Sequence, residues 1–457
     1  MPDIILVILA VIFVLGIAIN IHEFGHFAVA KLLGMRVDAY SFFGLGPRIW
    51  GFKRGHTDYR ISAIPLGAYV KLYGDESNSG LEGKDEQGEV VPESELYELR
   101  PRWQKFLVMI GGPFMNIMLA LAIPFFGAMI YGVPSMPAPI VGMVKSGGAA
   151  EQAGVRVGDR IVNFDGIENP TWDRVRNDSL VAPEKEIPVV VERDGQKVPL
   201  KIKLSRVEQG GNTIGSLDLE PEMEAEPVVV GEIQPDMPAA ASGLQKGDWI
   251  VSVNGKPVHN RMEMKNFITE AKDQPLNLSV NRNGERKEIS TRAKQQSEGG
   301  DWLIGIKFGN TIESAREKVG VGQAASFAVN SNLEVIRLTG KVFGQLFSGQ
   351  RSVKDAGVAG PIGIVQIISQ IVREAGFAGL VSILAVISLN LGVFNLLPIP
   401  MLDGGQIAVL GIEGFLGLFG LSLSMNVKEK IQLAGLAIIL ILMVFTLFLD
   451  ISRLVGK

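Results

Sequence analysis

Four apolar stretches limit what this chain can fold into. They cover about residues 4–33, 104–133, 376–398 and 431–449. Each reaches the roughly 20 residues that a helix needs to cross ~30 Å of hydrocarbon. The composition agrees: 47% of residues are hydrophobic, 20% are charged, and the mean hydropathy is +0.25. The N-terminal run has neither the basic start nor the small-residue cleavage pattern of a signal peptide, so it is expected to stay as a span. A shorter run, GVAGPIGIVQIISQIV at 357–372, is a candidate re-entrant or interfacial piece. A net charge of −4 without a long Lys/Arg run argues against a nucleic-acid partner. The absence of cysteine excludes disulfides, thiol nucleophiles and thiolate metal sites.

The second and third spans enclose a polar insert of about 240 residues that contains a repeat. AAEQAGVRVGDRIVNFDG (149–166) matches PAAASGLQKGDWIVSVNG (238–255). Gly154 recurs as Gly243, Gly158 as Gly247, Asp159 as Asp248 and Gly166 as Gly255, each 89 residues later. The apolar strands before each copy agree (PIVGMV, PVVVGEI), and so do those that close it (TIGSLDL, LIGIKF). A period this long is a whole small domain, with strands around a helix that opens on a small-residue turn. At Ala150–Gly166 the pattern A-x-x-A-G-(x)3-G-D-x-I-(x)4-G resembles the PDZ family, in the strand order found in bacterial proteases. The resemblance implies two β-rich PDZ-like domains, at 136–221 and 222–309. Such domains bind extended peptides by adding a strand to a sheet edge.

The flanking segments complete the expected layout. DYRISAIPLGAYVKLY predicts strands, making 34–75 a membrane-associated β region. Residues 76–103 read as a polar loop, acidic over 83–100. Residues 310–375 mix charges with apolar residues at helical spacing, as amphipathic or re-entrant helices do. The third span is expected to run over 376–404, followed by a loop at 405–430 and a fourth span at 431–452. Lys31, Arg36, Arg48, Lys53, Arg54 and Arg60 follow the first span, and Arg100, Arg102 and Lys105 precede the second. The positive-inside rule then puts this loop in the cytoplasm and the repeats on the opposite side. Arg453 and Lys457 run against that rule. The predicted fold class is a polytopic α-helical membrane protein with four transmembrane helices, a membrane-associated β-sheet and two inserted β-rich PDZ-like domains.

Inside the first apolar stretch stands NIHEFGH, residues 20–26. Each ionisable group at membrane depth costs roughly 2.5–3.5 kcal/mol on insertion scales, so an idle trio is hard to sustain. On a helix His22 and His26 share a face and can converge on one Zn²⁺, with Glu23 beside them as a base. A catalytic zinc normally takes three protein ligands. His56 lies in a polar loop and His259 in the second repeat, where both read as surface histidines. Asp403 is the stronger candidate. In FNLLPIPMLDGGQ (394–406) it follows Pro398 and Pro400, two residues that cannot continue a helix. Backbone broken at membrane depth is tolerated where protein or water covers it. About 27 Å of helix separates residue 4 from residue 22, which puts the trio toward the cytoplasmic side.

H-E-x-x-H in the first span, with N-x-x-P-x-P-x-L-D-G from Asn395 to Gly404, resembles the site-2 protease family of intramembrane zinc metalloproteases. Four spans with tandem PDZ domains between the second and third are similar to its bacterial regulator-of-sigma-E protease branch. The resemblance covers essentially the whole chain. It implies one zinc per chain bound by His22, His26 and Asp403, and Glu23 as catalytic base. It implies that Asn395 holds the substrate backbone, with Pro398 and Pro400 of the same motif on the substrate side. Gly44 and Gly46 stand where the family has a G-x-G loop that pairs with an extended substrate. The implied substrates are single membrane spans, chiefly an anti-sigma factor already trimmed on its outer side, and remnant signal peptides. The implied location is the bacterial inner membrane, with the repeats in the periplasm gating substrate access.

Two other functions compete. A non-catalytic scaffold could bind exported peptides through its PDZ-like domains, but it leaves HEFGH and Asp403 unexplained. A metal transporter would need polar residues along several spans, and the second and fourth carry very few.

Overall fold

The computed structural model describes residues 2–64, 67–73, 91–134, 138–209, 212–222, 228–282, 284–295, 302–308, 316–353, 355 and 358–455. The acidic run at 83–90 and the start of the 310–375 region lie outside these. The chain divides into two compact units. One is built mainly from residues up to Tyr131 and from Val319 onward, the other from Gly132–Gln209 and Thr213–Lys318.

The first unit begins with helix α1 (Pro2–Leu32). Four strands follow: β1 (Val37–Phe43), β2 (Leu45–Arg54), β3 (Thr57–Ile64) and β4 (Tyr69–Leu72). They form one sheet in the order β2-β3-β1-β4, so β2 and β4 are its edges. Strands β1 and β3 are parallel, and the other two pairings are antiparallel. Helix α2 (Arg102–Tyr131) crosses α1 at glycines. A Cβ on Gly25 would lie 2.1 Å from the Gly111 oxygen, and one on Gly111 would lie 2.7 Å from the Gly25 oxygen. Small residues let membrane helices approach this closely, because dispersion and backbone contact replace the hydrophobic drive there.

Three further long helices complete this unit: Val321–Phe347, Pro361–Asn395 and Met425–Val455. Among the described residues four helical segments are long and apolar enough to cross a membrane: Ile4–Leu32, Arg102–Tyr131, Ala375–Asn395 and Asn426–Arg453. The Pro361–Asn395 helix breaks at Gly376, whose φ of 59° and ψ of −146° suit only glycine. Ile368 and Val372 before the break, and Leu380 and Leu384 after it, pack with Ala10, Val14 and Ala18 of α1. Asp450, near the end of the last helix, accepts from the amides of Gly360 (3.1 Å) and Gly363 (2.9 Å) and so caps the Pro361–Asn395 helix. Arg453 donates to the Val358 oxygen at 2.8 Å, so this cation is held by backbone. The Val321–Phe347 helix packs on α2, and its buried Asn332 donates to the Ala120 oxygen at 3.0 Å.

The third apolar segment departs from its expected bounds. Its helix ends at Asn395 rather than 404, and a separate helix, Asp403–Gly417, occupies half of the expected 405–430 loop. Pro398 and Pro400 bar a continuous helix. Gly404 and Gly405 let the new helix start against the turn, because Cβ atoms there would meet the Leu396 oxygen at 2.3 Å and the Ile399 oxygen at 2.1 Å.

The second unit holds the repeats. In the first, the strands Gln196–Lys203, Glu186–Arg193, Arg160–Phe164 and Ile167–Glu168 form a sheet in that order. Val141–Val144 pairs with Leu219–Pro221, and the helix Trp172–Leu180 covers the core around Phe164. The second copy aligns Glu285–Arg292, Pro275–Arg282, Trp249–Val253, Val228–Ile233 and Ile306–Phe308 over a core around Ile250 and Met264. The repeated aspartate has one job in both. Asp159 is 1% exposed, takes Arg193 Nε and Nη2 at 2.7 Å each, and accepts from the Arg156 amide at 2.8 Å. Asp248 does the same with Arg282 (2.7 Å, 2.7 Å) and the Gln245 amide (2.8 Å). Each arginine also donates to a repeat glycine, Gly154 or Gly243. A two-residue ladder closes the unit: Val133 faces Glu317 and Pro134 faces Arg316. Gly132 turns into it at φ 83°, where a Cβ would lie 2.5 Å from the Glu317 oxygen.

Burial pushes both carboxyls up, but the arginine and amide hydrogen bonds outweigh it and hold them below the ordinary aspartate range. A lowered native value contributes stability in full above the ordinary range, and that stability is lost as pH falls through the lowered value. Protection of both repeats from hydrogen exchange should therefore decline in acid. Arg282→Ala should raise exchange across 228–308 of the full-length chain and leave 138–222 protected. Equal exchange in variant and wild type would remove the pair from the account of stability.

Candidate active site

Helix α1 places His22 and His26 one turn apart, with relative exposures of 7% and 9%. Asp403 meets them from the first turn of its own helix. His22 Nε2 lies 3.1 Å from Asp403 Oδ2, and His26 Nε2 lies 3.5 Å from Oδ1. The two Nε2 atoms are 3.2 Å apart. Among the described residues this trio is the group of His, Asp or Glu side chains spaced to hold a metal ion. Donors in a tetrahedral site with bonds near 2.0–2.1 Å sit about 3.3 Å apart, and these separations bracket that value. Two neighbouring features suit a cation. Asp403 Oδ2 is buried, and apart from the facing His22 Nε2 it has no hydrogen-bond partner among the described residues. His26 Nδ1 lies 2.7 Å from the Val108 oxygen, which can only accept, so Nδ1 carries the hydrogen and Nε2 keeps its lone pair.

Glu23 opens on the same cavity of about 370 Å³. Its Oε2 accepts from the Val70 amide on edge strand β4 at 3.1 Å. Asn395, at the end of its helix, points Nδ2 at His22 Nε2 across 3.4 Å. Val70, Leu72, Met109, Leu391, Met401 and Gln406 are among the other residues that line the cavity. Met401 adopts φ 78°, a left-handed conformation that only a constrained turn sustains in a non-glycine residue. It delivers Leu402 and Asp403 into the cavity.

Gly44, Gly46, Pro398 and Pro400 do not line this cavity. Gly44 (φ 97°) joins β1 to β2, where a Cβ would lie 2.5 Å from the Ser62 oxygen. Gly46 adopts φ 86° at the start of β2. Pro398 is exposed, and Pro400 packs on Gly435 of the last helix. His56 pairs with Arg36 at 2.7 Å, and exposed His259 pairs with Glu263 at 3.0 Å, both outside the trio.

Several supporting residues escape a reading of sequence. The Val70 amide and Val108 carbonyl are backbone groups and leave no signature. Gly112 does leave one. A Cβ there would lie 2.4 Å from His26 Nε2, so α2 needs glycine to admit the imidazole. Asn116, one turn on, is fully buried beside His22. A polar residue in GGPFMN, within an apolar span, is the signal that marks it.

The profile of Peptidase family M50 matches residues 10–442. The chain belongs to this family. A regulator of sigma-E protease, RseP, from Salmonella typhimurium is 31% identical over 97% of this chain and 98% of its own length. The protease RseP of Yersinia pestis is 32% identical over the same shares. A Pasteurella multocida protein whose name contains the words zinc metalloprotease is 30% identical, again over 97% and 98%. Among solved structures, the PDZ domain of an SdrC-like protein from Listeria monocytogenes aligns with 19% of this chain and 92% of that domain, at 20% identity and a TM-score of 0.18. This M50 chain is a metalloendopeptidase with several membrane-spanning helices.

Gly112→Ala should displace His26 Nε2. A misplacement near 1 Å can lower catalysis by about 10²-fold. Gly127→Ala on the same helix, where a Cβ meets nothing within 4 Å, should be neutral. Peptidase rates of the two variants, compared at equal thermal stability, decide this.

Proposed function

We propose that this M50 peptidase is a zinc-dependent intramembrane endopeptidase of the regulator-of-sigma-E type. It cuts within single membrane spans whose outer parts have been removed. The observation that carries the reading is the convergence of His22, His26 and Asp403 at 3.1–3.5 Å beside Glu23, in helices of membrane-spanning length. His22, His26 and Asp403 would hold one zinc per chain. Bound there, zinc supplies Lewis acidity to a water and to the scissile carbonyl.

Glu23 takes a proton from the attacking water and returns it to the leaving nitrogen. Its hydrogen bond from Val70 aims the carboxylate and ties it to the edge of the sheet. The substrate arrives as a helix whose amides bond to one another, so it must unwind before a carbonyl can reach the site. An edge such as β4, which lines the cavity, offers replacement strand pairing. Asn395, whose Nδ2 lies 3.4 Å from His22 Nε2 on the cavity wall, would hold the unwound substrate backbone. Gly44 and Gly46 would pair with the extended substrate, and Pro398 and Pro400 would contact it beyond Asn395. A relative named as a regulator of sigma-E protease fits a role in the control of a sigma factor. The proposed substrates are an anti-sigma factor and, as a second class, remnant signal peptides, and the proposed location is the bacterial inner membrane. The basic residues after α1 favour a site toward the cytoplasm and repeats in the periplasm, where the repeats exclude substrates with bulky outer domains.

The decisive comparison uses purified chain in detergent and a tagged single-span substrate without its outer domain. Glu23→Gln should keep bound zinc and stability and lose 10²-fold or more of cleavage, in line with the ~10²–10⁴-fold typical of a general base. A chelator should abolish wild-type cleavage, and added zinc should restore it. Retained cleavage by Glu23→Gln would remove it as the base. Deleting 136–309 should let an untrimmed substrate be cut, and continued resistance would argue against exclusion by the repeats. A scaffold without catalysis predicts no cleavage under any of these conditions.

A further inference from the structure

Asn116 of α2 and Ser388 of the Pro361–Asn395 helix are both fully buried, at 0% exposure, and neither lines the cavity. Their polar groups meet beside His22. The Asn116 side chain lies between two partners: in the structure its Nδ2 is 3.2 Å from His22 Nδ1, and its Oδ1 faces Ser388 Oγ at 3.2 Å. Ser388 Oγ lies closer still, 3.0 Å, to the backbone oxygen of Asn116. The two ends of an amide are nearly isosteric, so its orientation follows from its hydrogen-bond partners.

One orientation satisfies every group at once. The Ser388 hydroxyl donates its single hydrogen to the Asn116 backbone oxygen. Its lone pair then accepts from the Asn116 NH₂, which turns the amide oxygen toward His22. That oxygen can only accept, so His22 must carry its hydrogen on Nδ1. The orientation held in the structure makes one bond fewer, because the hydroxyl has one hydrogen and the amide NH₂ points at His22. It would also put the hydrogen on His22 Nε2, the atom facing Asp403 and His26. A buried polar group left without its bond is costly, so the fuller network prevails.

We infer that Ser388, acting through Asn116, fixes the tautomer of His22 and keeps Nε2 free to bind a cation. His26 reaches the same state directly through the Val108 carbonyl. Both are positioning residues, and the inference rests on His22 being a metal ligand. It joins α1, α2 and the Pro361–Asn395 helix through one chain of hydrogen bonds.

The test measures zinc affinity of the full-length chain in detergent by chelator competition, together with the visible spectrum after cobalt substitution. Asn116→Leu removes the acceptor and should weaken zinc by about 10–100-fold, the usual effect of losing an outer partner of a histidine ligand. Asn116→Asp keeps an acceptor for Nδ1–H and should bind zinc near the wild-type level with a near wild-type cobalt spectrum. Ser388→Ala should weaken zinc by a smaller factor and alter that spectrum, although it touches no cavity atom. If Asn116→Leu binds zinc as wild type does, or if Asp and Leu variants that fold lose it equally, the inference is wrong. If Asn116→Leu does not fold, Asn116→Asp and Ser388→Ala decide between the same outcomes. Wild-type chain that takes up no zinc would overturn the metal centre itself, and the tautomer role with it.

Discussion

The contact of Gly25 with Gly111 is the constraint on which the site depends. No side chain separates α1 from α2 there, so the Val108 carbonyl, Gly112 and Asn116 all come within reach of the two imidazoles. A larger residue at either glycine would hold the helices apart and leave both Nδ1 atoms without partners. In lipid such groups have no water to turn to. The close approach and the polar chemistry are therefore one requirement.

The same rule explains the other polar groups in this unit. Asn332 donates to the Ala120 carbonyl, Asp450 caps the amides of Gly360 and Gly363, and Arg453 serves the Val358 carbonyl. The first two tie one helix to another, and Arg453 ties the last helix to the segment before Pro361, each through a backbone group. Glu23 follows the pattern with the Val70 amide, and so couples the neighbourhood of His22 and His26 to the sheet. Asp403 keeps one carboxylate oxygen buried without a hydrogen bond, 3.1 Å from His22 Nε2. Its position between two imidazoles is one where an added cation would be favoured.

Much of this was legible in the sequence, because the signals were periodic or costly. The four spans follow from length and apolarity. The 89-residue repeat shows two like domains, and extending that offset from VERDG to VNRNG would have picked out Arg193 and Arg282 as partners of the repeated aspartates. His22, Glu23, His26 and Asp403 stood out as groups that membrane depth penalises. The bounds of the third span did not follow, since IAVLGIEGFLG carries no mark that separates a new helix from a loop. The carbonyl of Val108 and amide of Val70 were invisible, because backbone groups act wherever the fold brings them. Gly44, Pro398 and Pro400 lie where the chain bends and Gly46 lies at the start of β2, and such residues show where a chain changes course without showing what it touches.

The short ladder between Val133–Pro134 and Arg316–Glu317 has a consequence for how such a chain can vary. It brings together two points that enclose the whole insert. Closing a loop costs entropy that rises only with the logarithm of its length, about 0.6 kcal/mol for each doubling. Once those four residues are paired, the length of what hangs between them matters little to the remainder of the fold. One repeat, two, or an unrelated module could occupy that place on similar terms. The stitch makes the insert an exchangeable cassette, while Gly25, Gly111 and Gly112 leave the peptidase core almost no freedom to change.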